Sequence, residues 1–150
     1  MRNKPLAFGC GVLLLISVLG SGFLAWAMFR DDEVYVTGAS SYKFAPPSAK
    51  QIDYYERLNI SGIVSVNYIV GQEEFRKFAA DQGWILERKA EGPFGATASS
   101  PEAWTKGAMN GPHPEFGECL FYEKRLGNGG GITVIYDLAN SRATINKANR

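Results

Sequence analysis

The sequence predicts an α+β protein: a single N-terminal transmembrane helix, followed by a small domain with a mainly antiparallel sheet of about four to five strands packed by one or two helices. Three observations predict this class. Residues 5–29 form a run of 25 positions without a formal charge, and a membrane-spanning helix needs about 20 residues. Strand-like alternation precedes residue 71 and a helical apolar period follows it. A glycine-rich hairpin signal lies near the C-terminus.

The N-terminal segment, residues 1–30, is the predicted membrane anchor. Arg2 and Lys4 precede the apolar run, and such basic flanks predict that the N-terminus stays in the cytoplasm. The protein is therefore expected to cross the cytoplasmic membrane once, with residues 31–150 on the extracytoplasmic side. A small-x-small tripeptide ending at Ala27 also fits a signal-peptidase site. The alternative is thus secretion after cleavage near Ala27, and the retained anchor is favoured because the segment stays apolar up to that site.

Small residues within the anchor predict a face for self-association. Ser17, Ser21 and Ala25 recur every four residues, and such spacing lets two membrane helices approach closely. Small residues are also common in membrane helices for other reasons. The expectation is therefore a weak homodimer at most.

Beyond the anchor, residues 31–46 are expected to form a tether and residues 47–150 a single α+β domain. Val34, Tyr35 and Val36 could add a short strand within the tether. A chain of this length buries enough surface for an independent core.

The first elements of the domain follow from local signals. Ser48 and Gln51 have the spacing of a capping box, which predicts a short helix over residues 49–57. Apolar and polar residues then alternate from Val64 to Val70, as in a strand with one buried face.

A second helix is predicted directly after this strand. Phe75, Phe78 and Ala79 form an apolar stripe at helical spacing. Gly83 fits the position that ends a helix with a positive φ angle. Extended structure is expected to resume at Trp84.

The C-terminal part is predicted to be all β. Residues 119–125 and 132–137 read as strands joined by a glycine-rich turn, and residues 142–146 as a third strand. The Asn-Gly pair in the first turn supplies the positive φ angles that a tight hairpin requires.

A long irregular loop, residues 90–117, is the predicted interaction surface. It contains Phe94, Trp104, His113 and Phe116 among many glycines and prolines. Long loops within a domain tend to be either functional or disordered, and these rings are too apolar to stand free in water. The loop is expected to fold back over the sheet and to present part of its surface to a partner.

Composition excludes several functions. The 16 Lys and Arg nearly balance the 15 Asp and Glu, so the chain has no field that would favour nucleic acid. One His and two Cys cannot supply a Cys/His zinc site, and no phosphate-binding or hydrolase motif is present. No cofactor and no metal site is predicted.

Two stretches resemble a group of uncharacterised bacterial proteins that are membrane-anchored or exported. Residues 47–55 read Pro-Ser-Ala-Lys-Gln-Ile-Asp-Tyr-Tyr, and residues 129–137 read Gly-Gly-Gly-Ile-Thr-Val-Ile-Tyr-Asp. The similarity covers most of residues 47–145 without the long loop. Leu138 stands where the group tends to have a basic residue. The resemblance implies a bacterial origin and an anchored small α+β domain, and it brings no activity with it.

The predicted function is that of a non-catalytic, membrane-tethered extracytoplasmic module that binds a protein or an envelope component. No set of side chains in the sequence assembles a catalytic centre. The alternative is a small hydrolase-like envelope enzyme that uses Cys119 or His113. That alternative requires an exposed thiol with a lowered pKa, whereas a lone Cys in a strand is more often a buried apolar residue.

Overall fold

A seven-stranded antiparallel sheet is the frame of the fold. The computed structural model describes residues 17–23, 26, 33–57, 62–90 and 117–149. The strands are β1 (Glu33–Ala39), β2 (Lys50–Arg57), β3 (Ile63–Ile69), β4 (Glu87–Lys89), β5 (Cys119–Arg125), β6 (Gly131–Asp137) and β7 (Arg142–Ala148). Their order across the sheet is β1-β2-β3-β7-β6-β5-β4, and every neighbouring pair is antiparallel. One helix, α1 (Gln72–Asp81), follows β3.

The C-terminal hairpins confirm the prediction from turn chemistry. Strands β5, β6 and β7 are consecutive neighbours in the sheet. In the first turn the Leu126 N–H donates to the Gly130 carbonyl at 2.8 Å, and Gly129 has a φ of 83°. The Asn128 side chain accepts from the Gly130 N–H at 3.1 Å. Residues close together in the sequence thus define this turn.

Helix α1 is also as predicted, including its end. Gly83 has a φ of 73°, and its N–H donates to Ala80 while the Trp84 N–H donates to the Ala79 carbonyl at 2.8 Å. These two bonds are those of a Schellman motif. The chain therefore leaves the helix in a fixed direction, and Trp84 is turned back onto the core.

One face of the sheet packs against α1. Phe75 is fully buried and stacks on Tyr136 with ring centroids 4.7 Å apart. The Tyr136 hydroxyl donates to the Val70 carbonyl at 2.9 Å, which ties β6 to the segment that enters the helix. Trp84 stacks on Tyr122 of β5. The core therefore lies between α1 and the central strands.

The predicted fold class is wrong in its balance of elements. The sheet has seven strands where four to five were expected, and α1 is the one helix in the described residues 33–57, 62–90 and 117–149. Two strands account for much of the difference. Strand β1 lies in the predicted tether, and strand β2 lies where a helix was predicted. The fold is dominated by the sheet and is not an α+β arrangement.

The helix predicted over residues 49–57 is strand β2. The Ala49 N–H donates to the Pro46 carbonyl in a turn, and Gln51 has a φ of 51° at the point where the register between β2 and β3 shifts. Ile52 and Tyr55 do not share a helix face. They point to opposite faces of a strand and are 1% and 2% exposed. Pairing with β1 and β3 outweighs the local capping signal, since propensity is a weak prior against tertiary contacts.

Strand β3 lies where the alternation predicted a strand, but both of its faces are buried rather than one. Ser65, expected on a solvent face, is fully buried. Across the strands Tyr55, Ser65, Asn146 and Thr133 are successive neighbours, and all four are less than 10% exposed. The alternation in β3 therefore separates an apolar buried face from a polar buried face.

The predicted transmembrane anchor is corrected by the structure. No helix in the described part of the chain is long and apolar enough to cross a membrane. Within the unit Met1–Asp31 the described helical residues are 17–23 and Trp26. The signal-anchor interpretation of residues 1–30, and the single-pass placement of 31–150 outside the cytoplasmic membrane, are therefore not retained.

Candidate functional site

The side chains predicted as an interaction surface lie outside the described residues. These are Phe94, Trp104, His113 and Phe116 of the loop 90–117. The site must therefore be sought on the sheet and its edges.

The predicted dimer face is described in part. Ser17 and Ser21 are helical, and the Ser21 hydroxyl donates to the Ser17 carbonyl at 2.7 Å. Ala25, the cleavage site near Ala27 and the remainder of the segment lie outside the described residues. Self-association through this face stays a prediction.

Cys119 is held in an environment that disfavours the thiolate. It is fully buried on β5 and clusters with Phe121 and Ile135. Burial raises the pKa of the Cys119 thiol, and the carboxylate of Asp137, its cross-strand neighbour, raises it further; Lys89 acts in the opposite direction and does not prevail. A reactive cysteine needs an accessible, stabilised thiolate, and this site provides neither.

The edge of the sheet at β4 is protected against further pairing. This strand has only three residues, and all of them are charged. Arg88 forms an ion pair with Glu118, with Nε 2.5 Å from Oε1, and the Lys89 Nζ lies 4.4 Å from the centre of the Phe121 ring. Short, charged edge strands are a common protection against strand addition.

The opposite edge, at β1, is longer and carries fewer charges. The strand is seven residues long, reads Glu-Val-Tyr-Val-Thr-Gly-Ala and contains no Lys, Arg or Pro. It pairs with β2 on one side, and no described strand lies on the other. Val34 and Tyr35 are 40% and 41% exposed. Because they are consecutive in a strand, they project from opposite faces of the sheet.

A bulge ends the regular part of β1. The pairing with β2 is regular from Glu33 to Val36, and the register shifts between Val36 and Ala39. Gly38 has a φ of 66° there, and its N–H donates to the Asp53 carboxylate at 2.9 Å. The accessible edge is therefore a straight segment followed by a bend.

The chain beyond the bulge is fastened to β2 by a half-buried acid, Glu56. The Tyr42 hydroxyl donates to Glu56 Oε1 at 2.5 Å, and the Lys43 Nζ lies 2.6 Å from the same oxygen. The Tyr42 ring stacks on Tyr54 at 4.4 Å, and Lys43 also lies 5.7 Å from the centre of the Phe44 ring. This cluster, Tyr42–Phe44 with Tyr54 and Glu56, fixes the return of the chain from β1 to β2.

Electrostatics in the cluster favour the ionised acid and the neutral phenol. Burial acts to raise the pKa of Glu56, but the hydrogen bonds from Lys43 and Tyr42 outweigh it and the pKa is lowered. Burial and the neighbouring Glu56 raise the pKa of Tyr42. Tyr42 therefore remains a donor, and Glu56 an acceptor, across the neutral range.

We expect Glu56→Gln to lower the free energy of unfolding by about 1 kcal/mol at pH 7, since the amide loses the charge that Lys43 pairs with. A lowered folded-state pKa stabilises the fold above the unfolded-state value of about 4.3, and that stabilisation is lost as pH falls through the folded-state pKa. The difference between variant and wild type should thus disappear at low pH. Urea unfolding at both pH values measures it.

Glu118→Gln is the matched control, because Glu118 forms its ion pair with Arg88 at an exposed position. It should change stability little at either pH. An equal effect of both substitutions would mean that the Glu56 cluster does not fasten this segment.

Sequence reasoning missed the β1 edge as a site, although it noted the signal. The Val-Tyr-Val pattern predicted a strand, but which strand lies at an edge depends on the order of strands in the sheet. That order is set by long-range pairs such as β3 with β7. The sequence pattern of β1 alone contains no information about that strand order.

The resemblance at residues 47–55 and 129–137 stays a prediction. In the structure these stretches form β2 with the turn before it, and β6 with the hairpin turn before it. They lie on different strands of one sheet. Comparison with protein-family models, curated proteins and solved structures finds no match.

Proposed function

We propose that this protein is a non-catalytic binding module that takes up an extended polypeptide segment by strand addition at the β1 edge. The observation that supports it is a seven-residue edge strand whose one charged residue is Glu33. Its outer side has no neighbour among the described strands, and the opposite edge is short and charged. Backbone groups of such an edge provide affinity, and alternate side chains provide specificity.

The outward-facing backbone N–H and C=O groups of the β1 edge favour strand addition. In an edge strand, every second residue directs its N–H and C=O away from the sheet, where water must satisfy them. A peptide strand replaces those waters with a ladder and covers the apolar atoms of Val34 and Tyr35 as it does so. Each cross-strand side-chain pair contributes about 0.2–1 kcal/mol.

The geometry also limits the ligand. Regular pairing ends at Val36 and the strand bends at Gly38, so the added segment should be short. Glu33 lies at the start of the edge and favours a basic or neutral residue opposite it. Expected ligands are therefore short extended segments with β-branched or aromatic residues in alternation and no acidic residue facing Glu33.

Selection from a library of displayed linear peptides tests the proposal with the full chain as bait. Selected peptides should share the alternation described above, and Val34→Lys should abolish their binding, because edge lysines oppose strand addition. Ile85→Lys is the matched control, since Ile85 is 82% exposed and lies outside every strand. It should leave binding unchanged.

Circular dichroism and the urea midpoint establish that both variants fold. If the selected peptides bind Val34→Lys as well as they bind the wild type, strand addition at β1 is excluded. Loss of binding in both variants would also count against the edge, because it would indicate a nonspecific apolar contact.

A further inference from the structure

We infer that Lys124 and Lys147, on the face of the sheet that packs against α1, form a binding site for a phosphate monoester. The site lies on β5, β6 and β7, three or more strands away from β1. It therefore goes beyond the proposed function and does not depend on strand addition.

The pairing register places the two lysines on one face of the sheet with a single residue between them. Lys124 of β5 is opposite Ile132 of β6, and Ile132 is opposite Lys147 of β7. Directly opposed residues project from the same face of a sheet. Since neighbouring strands are about 4.8 Å apart, the Cα atoms of the two lysines are about 10 Å apart. Two extended lysine side chains span that distance when they converge on one anion.

This row of three residues, the lysine row, lies at the margin of the core that α1 covers. Val134 and Ile145, two residues further along β6 and β7, are fully buried in that core. In the lysine row itself, Lys124 is exposed, and Ile132 and Lys147 are half-buried. The row is therefore accessible to a small ligand from solvent.

The two ammonium groups have no counter-ion among the described residues. Glu56 belongs to the same row across the sheet, but its carboxylate pairs with Lys43. Glu123 is next to the row in sequence, but it pairs with Arg125, and alternation places both on the opposite face. The lysine row thus carries two positive charges that the described part of the chain does not balance.

An aromatic ring orders one of the two lysines. The Lys147 Nζ lies 5.6 Å from the centre of the Phe44 ring, within the range of a cation–π interaction. Phe44 is itself half-buried and packs against the core. A side chain that is held before the ligand arrives loses less conformational entropy on binding.

Charge balance selects a phosphate monoester among small anions. Such a group carries a charge of about −1.5 to −2 at neutral pH and matches two ammonium groups, whereas a carboxylate matches one. Lysine binds phosphate as a point charge and does not need the fork geometry of arginine. Because Ile132 and Phe44 border the site, a monoester with an apolar ring is the ligand that fits it.

An NMR titration of the isotope-labelled full chain with phenyl phosphate tests the site. Saturable shifts are expected for the backbone amides of the lysine row. Benzoate has the same ring and a single negative charge, so its dissociation constant should be at least about fivefold higher. Inorganic phosphate should also bind more weakly, because it lacks the ring. Equal affinity for inorganic phosphate overturns the assignment to a monoester.

Two variants test the residues. Lys124→Gln and Lys147→Gln should each raise the dissociation constant for phenyl phosphate at least about fivefold, since each removes a charge-assisted contact. Lys77→Gln is the matched control, because Lys77 is exposed on α1. It should leave the constant unchanged. Circular dichroism establishes that all three variants fold.

The absence of saturable shifts in the lysine row overturns the inference. Equal weakening by Lys77→Gln also overturns it, because that result indicates attraction to the general positive charge of the surface. Lys124→Gln and Lys147→Gln leave β1 unchanged, so both variants should bind the selected peptides as the wild type does. The phosphate site and strand addition can therefore fail independently of one another.

Discussion

Replacing Phe75 with alanine is expected to lower the free energy of unfolding by about 3–5 kcal/mol, the range for a large aromatic residue deleted from a core. Phe75 is fully buried and stacks on Tyr136 at 4.7 Å with planes 20° apart. It lies on the face that joins α1 to the sheet. Its loss removes both the transfer free energy of the ring and the filling of the space above Tyr136.

Urea unfolding followed by tryptophan fluorescence measures the change, because Trp84 belongs to the same core cluster as Phe75. Phe78→Ala is the matched control: Phe78 is on the same helix, is only partly buried and meets Trp84 edge to face at 5.7 Å. It should cost clearly less. Equal costs would mean that α1 is not anchored chiefly through Phe75.

Sequence reasoning succeeded where the decisive interactions are short-range. The stripe of Phe75 and Ala79, and the stop at Gly83, belong to ten or so consecutive residues, and the helix forms as predicted. The hairpin turn at Asn128 is likewise defined by its own residues. In both cases the local preference and the tertiary contacts agree.

Sequence reasoning failed where a signal within a few residues competes with pairing to neighbouring strands. Ser48 and Gln51 have helical cap spacing, and Ile52 and Tyr55 have helical apolar spacing. Both patterns are also compatible with a strand that is buried on its two faces and carries a bulge. Pairing with β1 and β3 on either side decides for the strand, and the helical patterns within residues 48–55 do not include those partners.

The same reasoning explains the missed site. Nothing within Glu33–Ala39 distinguishes an edge strand from a central one, since both are apolar and alternating. The distinction comes from the end of the chain, because β7 inserts beside β3 and leaves β1 at the outside. The sequence therefore predicts a strand at this position, and the structure gives it an exposed edge.

The weaker protection of the β1 edge, compared with the β4 edge, supports the binding proposal. A sheet that needed only stability would be expected to protect both edges, because an open edge invites aggregation. Here β4 is short and charged, and Cys119 beside it is buried. The exposed Val34 and Tyr35 at the β1 edge are consistent with a strand that pairs with a peptide.

The turn between β5 and β6 allows a second large effect to be predicted. Gly131→Ala is expected to lower the free energy of unfolding by about 3 kcal/mol, since overpacking against a rigid neighbour typically costs about 1–3 kcal/mol. A Cβ on Gly131 would lie 2.5 Å from the Lys124 carbonyl oxygen and 3.2 Å from the Arg125 Cα. Both are backbone atoms of the paired strand, so no side-chain rotation relieves the clash.

Gly127→Ala, in the same hairpin, is the matched control. A Cβ there meets nothing within 4 Å, so alanine should be neutral or stabilise the fold by about 0.4–1 kcal/mol through the reduced entropy of the unfolded chain. The two substitutions are chemically identical and lie four residues apart, but only Gly131→Ala should lower the urea midpoint. If both stabilise, the backbone of β6 does not approach β5 as closely at Gly131 as the structure requires, and the start of that ladder must open to admit a methyl group.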